Sequence, residues 1–174
     1  MAKTPCITYT DTGCFSMHIN YDDEEFENVD AVAIIKGSTV YPGIRGLVRF
    51  YQTPNGVYVI TSVTGLPRGS TKCESPIFAM HIHSGNSCEG RNQETAFPLS
   101  GTHYNPSGCK HPYHAGDLPP LFSADGIAMS SVLTNRFTVK EIVGKTVIIH
   151  SGTDDFTTQP AGNSGAKIAC GVIQ

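Results

Sequence analysis

The chain has 174 residues, with 12 Lys and Arg against 15 Asp and Glu, and a formal charge of −3. That length suits one domain with a proper core, the weak charge excludes a basic nucleic-acid binder and a highly charged disordered chain, and no apolar run approaches the about 18 residues of a membrane helix. Seven His and six Cys in a chain with no Trp are the features to explain.

Residues 1–30 read as an acidic N-terminal extension. Residues 22–30, DDEEFENVD, hold six acids; residues 1–31 hold seven acids and one base, about −6, which leaves about +3 on the remainder. A run of this kind is by default a solvated segment. The start MAKTPC lacks a basic stretch followed by an apolar one, so no signal peptide is expected.

From residue 31 onward, short runs rich in Val, Ile and Thr alternate with turn clusters, which is the pattern of strands. Strands are expected at residues 31–35, 44–51, 57–63, 77–83, 127–133, 146–150 and 167–173, with one helical turn over 138–142. Pro54-Asn55-Gly56 separates two of these runs, and Asn-Gly there predicts a type I′ hairpin, whose central residues need positive φ. Residues 84–120 and 151–166 are long Gly- and Pro-rich loops, the kind that carries function in a compact domain. Residues 31–174 therefore read as one all-β sandwich or barrel with two long functional loops.

His81-Ile-His83 closes one of the expected strands. Side chains at i and i+2 share a face, so both imidazoles project one way while Ile82 faces the core. Taken alone, the pair reads equally as two surface histidines. The following loop adds His103, His111, His114 and Asp117, and His150 ends a later strand. His111-Pro-Tyr-His114-Ala-Gly-Asp117 spaces three donors evenly; three imidazoles with a carboxylate make a tetrahedral zinc set, and an imidazole-only set suits copper. Six of the seven histidines fall in these segments, and His18 is left over.

These residues resemble the copper/zinc superoxide dismutase family over residues 31–173. The likeness is carried by His81-Ile-His83, Gly101-Thr-His103-Tyr-Asn-Pro106, His114-Ala-Gly-Asp117-Leu118, Gly144-Lys-Thr-Val-Ile-Ile-His150, Gly162-Asn-Ser-Gly165 and Ala169-Cys170-Gly-Val-Ile173. The short connection from His111 to His114 is similar to bacterial members. The resemblance implies an eight-stranded Greek-key β-barrel and an antioxidant enzyme that dismutes superoxide to dioxygen and hydrogen peroxide. It implies copper on His81, His83, His103 and His150, and zinc on His103, His111, His114 and Asp117, with His103 bridging both ions. Asp154, four residues after His150, would link a copper histidine to a zinc histidine. Lys167 stands where the family has an arginine that guides the anion; it keeps the charge without the planar fork of donors, so slower turnover is expected. No nucleic-acid or membrane partner is implied, and monomer and homodimer are both open because the interface differs between branches.

The resemblance also implies a Cys88–Cys170 disulfide. Cys73 and Cys109 are the expected second bridge, although spacing alone does not bring them together. Cys6 and Cys14 lie near Met17 and His18, soft donors suited to Cu(I); a local disulfide or reduced thiols is the plain reading and copper delivery the alternative. Disulfides favour an oxidising compartment while the lack of a visible leader favours the cytoplasm. Two other classes stay in view. One is a non-catalytic copper-storage domain on the same fold. The other is the dismutase-like domain of a copper chaperone, against which stand a complete copper set and the lack of a Cys-x-x-Cys.

Overall fold

The computed structural model describes residues 29–71, 76–92 and 95–174. All but the last two residues of the expected extension, with Cys6, Cys14 and His18, lie outside the described residues, as does Cys73. The elements are β1 (Ala31–Gly37), β2 (Arg45–Thr53), β3 (Gly56–Thr64), β4 (Ile77–Phe78), β5 (Met80–His83), β6 (Leu121–Phe122), β7 (Ala128–Thr134), α1 (Val139–Ile142), β8 (Thr146–His150) and β9 (Lys167–Val172). No helix among the described residues is long and apolar enough to cross a membrane.

Seven strands form one antiparallel sheet in the order β5-β8-β9-β1-β2-β3-β7, and β4 pairs with β6. Along β1 and β3 buried and more exposed residues alternate, so Ala31, Ala33, Ile35, Val57, Val59 and Val63 face inward. A half-buried sheet needs a second layer, and here the sheet supplies both walls itself. Inward side chains from β1, β2, β3, β5, β7, β8 and β9 meet in one apolar cluster. Thr61 Oγ1 on β3 donates to Met80 Sδ on β5 at 3.8 Å, although those strands stand near opposite ends of the sheet order. The sheet therefore curls round on itself into a half-barrel, and the all-β Greek-key expectation holds.

Local details differ from the expectations. Residues 77–83 are two strands, because at Ala79 the chain changes partner: its N–H donates to Gly152 O, and its carbonyl accepts from His150 N–H. The β2–β3 hairpin turns on Pro54 and Asn55, with Thr53 opposite Gly56. Proline holds φ near −65°, which excludes a type I′ turn beginning at Pro54, and the positive φ, 137°, falls on Gly56 after the turn. The helical turn is present as α1, closed by a capping box in which Thr138 N–H donates to Glu141 Oε2 at 2.6 Å.

β5 and β8 are buried on both faces. Met80, Ile82, Val147 and Ile149 enter the core, so His81, His83, Ile148 and His150 point to the outer face. That face is closed by the two long loops. The Cys88–Cys170 disulfide, with Cα atoms 5.7 Å apart, ties the first loop to β9 beside Phe97 and Ile148.

Candidate metal centre

The first loop is fastened to the free edge of β5. Tyr104 N–H donates to Ile82 O, Ile82 N–H to Gly116 O and Gly116 N–H to Tyr104 O, each at 2.8 Å. These bonds bring His103 beside His83 and Asp117 beside His81. The second loop arrives through Asp154. His81 Nε2–H donates to Asp154 Oδ2 and His111 Nε2–H to Asp154 Oδ1, both at 2.8 Å.

The result is two groups that share one residue. His81, His83, His103 and His150 form the first, and His103, His111, His114 and Asp117 the second; within each, the donor atoms lie within 4.8 Å of one another. All six histidines are at most 6% exposed, so their ring nitrogens must find partners inside the protein. Several do not. His81 Nδ1, His103 Nε2 and His111 Nδ1 are buried without a hydrogen bond. His111 Nδ1 lies 3.1 Å from Asp117 Oδ2 but outside hydrogen-bond geometry, as if both faced a common point.

The outer hydrogen bonds fix the tautomers. His83 Nδ1–H donates to Gly101 O at 2.9 Å and His150 Nδ1–H to Gly165 O at 3.2 Å. Both Nε2 atoms are therefore bare, and they face each other at 3.2 Å. In the second group His103 Nδ1 lies 2.8 Å from Asp117 Oδ1 and 3.4 Å from His114 Nδ1. Lone pairs converging on one another are unfavourable unless a cation lies between them. This donor set fits metal ions: nitrogen alone in the first group, three nitrogens and a carboxylate in the second.

Burial, reinforced by neighbouring imidazoles, pushes His81 and His83 down to about 2 and His150 to about 4. Their rings stay neutral at neutral pH, as ligands must. Burial alone would raise Asp117, but its hydrogen bond with His103 and the field of His103, His111 and His114 hold it below the usual carboxylate range. Lys167 stands opposite His150 in the β8–β9 pair, half-buried, and burial lowers its pKa.

Three residues that the sequence did not single out also shape the centre. The Gln159 amide accepts from His111 N–H at 3.1 Å and donates to His111 O at 2.8 Å, pinning one loop to the other. Arg136 Nη1 donates to Pro112 O at 3.0 Å and reaches the carbonyls of His114 and Asp117 at 3.4 Å. Ser100 is wholly buried beside Lys167, with Oγ 2.7 Å from Nζ. Cys109 is exposed, and the other end of its expected bridge, Cys73, is outside the described residues.

A curled antiparallel β-sheet with two histidine-rich donor groups sharing one imidazole on its outer face defines a β-barrel protein with two groups of residues able to hold metal ions. The family model for copper/zinc superoxide dismutase matches residues 44–173. The chain belongs to the copper/zinc superoxide dismutase family, whose function is the dismutation of superoxide. It is 35% identical over 142 residues to a copper-zinc superoxide dismutase of Photobacterium leiognathi, covering 74% of this chain and 78% of that protein. It is 33% identical over 146 residues to superoxide dismutase [Cu-Zn] 2 of Aquifex aeolicus, covering 75% of this chain and 80% of that one. Among solved structures, the copper/zinc superoxide dismutase from Brucella abortus matches with a TM-score of 0.68 at 26% identity, covering 83% of this chain and all of the other.

Proposed function

We propose that this chain dismutes superoxide, with copper held by His81, His83, His103 and His150 and zinc by His103, His111, His114 and Asp117. The observation that carries the reading is His103, the one imidazole common to both donor groups. Copper supplies the one-electron chemistry, by which one superoxide is oxidised to dioxygen and a second, with two protons, is reduced to hydrogen peroxide, while zinc supplies fixed positive charge.

The chain's own residues supply orientation and protons. A neutral imidazole keeps one N–H, so His103 serves both groups only by giving that proton up, which positive charge at each nitrogen favours. His103 Nε2, buried and without a protein partner, is the atom that takes up a proton and returns it to the peroxide product. Asp154 accepts one N–H from each group, and the carbonyls of Gly101 and Gly165 hold His83 and His150 with Nε2 inward. In this reading residues 31–174 are the catalytic domain and residues 1–30 an extension.

The test is superoxide decay after loading with both metals, beside the His103→Ala variant. One copper and one zinc per chain with rapid decay are expected, and the variant should lose about 100-fold or more, as for a lost proton donor. Full metal content without accelerated decay overturns the reading.

A further inference from the structure

Lys167 opens β9 opposite His150, beside the register shift between Ile149 and His150. Cross-strand partners share a face, so its side chain rises on the side of the histidines. An ammonium has three N–H bonds and no lone pair. Lys167 Nζ meets three acceptors: Ser100 Oγ at 2.7 Å, Gly101 O at 2.9 Å and Phe97 O at 3.4 Å. All three belong to one turn, residues 97–101. Ser100 Oγ–H itself donates to Phe97 O at 2.8 Å, which leaves its lone pairs for Lys167.

The Gly101 carbonyl has two donors, Lys167 Nζ and His83 Nδ1–H, each at 2.9 Å. Its direction is fixed by a backbone at φ 71° and ψ −150°, a conformation open essentially to glycine alone. A Cβ there would also press on Ser84 Oγ at 2.8 Å.

We propose that Lys167 is a positioning residue for His83, acting through the Gly101 carbonyl, and not a hydrogen-bond donor to the anionic substrate. With its three N–H groups engaged, the ammonium offers an incoming anion charge and no free donor. Arginine at this position would keep donors to spare, since a guanidinium carries five N–H bonds. The inference rests on the reading of His83 as a copper ligand.

The experiment uses the full chain loaded with copper and zinc, as wild type, Lys167→Met, Lys167→Arg and Ser100→Ala. Solvent exchange of the His83 Nδ1–H is followed by NMR in the reduced, diamagnetic protein. Azide, a small anion, is titrated against the oxidised protein through the copper absorption band. Lys167→Met should speed His83 Nδ1–H exchange about fivefold or more, the effect of losing one supporting hydrogen bond, and Lys167→Arg should restore the wild-type rate. Lys167→Arg and Ser100→Ala each free a donor and should bind azide about three- to tenfold more tightly than wild type. Unchanged His83 exchange in Lys167→Met overturns the positioning role. Azide affinity no higher than wild type in both Lys167→Arg and Ser100→Ala overturns the claim that no donor is free. Superoxide decay by the wild type tests the dismutase reading separately, because its absence would leave the His83 exchange rates as they are.

Discussion

His81 and Asp154 are joined by a 2.8 Å hydrogen bond between side chains that are both essentially out of solvent. The second oxygen of the same carboxylate holds His111 at 2.8 Å, so one residue orients a ring in each donor group. Two ring N–H donors require two acceptor oxygens, and Asp154→Asn supplies only one. Its amide N–H2 would face an N–H, turning one ring and misdirecting the opposite nitrogen. Loss of such an outer partner typically weakens metal binding 10- to 100-fold; Asp154→Asn should do so for the metal of the misdirected ring, and Asp154→Ala, which removes both acceptors, for both metals. Chelator competition measures it; a loss confined to one metal in Asp154→Ala would contradict the shared role.

Gly162 is shaped by that same carboxylate. A Cβ at Gly162 would overlap Asp154 Oδ1, and its φ of 65° disfavours any side chain. Gly162→Ala should therefore reproduce the metal-binding loss of Asp154→Asn and also lower stability by more than about 1 kcal/mol, the cost of alanine in a left-handed conformation. Urea denaturation of the metal-free variant separates the two effects, because the backbone cost persists without metal while the ligand misalignment does not register.

The parts of this centre that were legible in the sequence are those that obey a short-range rule. His81 and His83 show as a period-of-two pair on a strand, and the even spacing of His111, His114 and Asp117 suggests a common ligand. Gln159 and Arg136 were not legible, because they act on backbone atoms of His111, Pro112 and His114 whose positions the fold alone sets. Ala79 reads as an ordinary strand residue, yet there the chain leaves β6 for β8, a switch decided by Gly152 and His150 far along the chain. Asn55-Gly56 alone favours a type I′ turn, but Pro54, with its fixed φ, occupies the turn and shifts it back by one residue.

Removing metal should expose how much of the fold depends on it. In this arrangement His81 Nδ1, His103 Nε2 and His111 Nδ1 are buried without a hydrogen bond, and without a metal each would cost about 1–3 kcal/mol. Metal bound at a hundred times its Kd adds about 2.7 kcal/mol to stability. For a chain of this size that corresponds to about 5–10 °C in Tm. Chelation should lower Tm by that amount and zinc should restore it. His114→Ala, which removes one of the four donors of the second group, should abolish the recovery; a zinc response that survives it would place the ion elsewhere.

The Cys88–Cys170 bond closes a stretch of 82 residues that contains Gly101 and His103 and ends on β9. In the chain-entropy account a closure of that length restricts the unfolded state by about 4–5 kcal/mol. Replacing both cysteines by serine should lower the stability of the metal-free protein by about that much, read from urea unfolding of the oxidised wild type and the double variant. The bond also holds the base of the turn at residues 97–101, packing with Phe97 and Ile148. Its loss should therefore loosen the Gly101 carbonyl and speed exchange of the His83 Nδ1–H, even under conditions where the rest of the barrel remains folded. A double variant that loses stability but keeps wild-type exchange at His83 would show that the bond acts only on the unfolded chain.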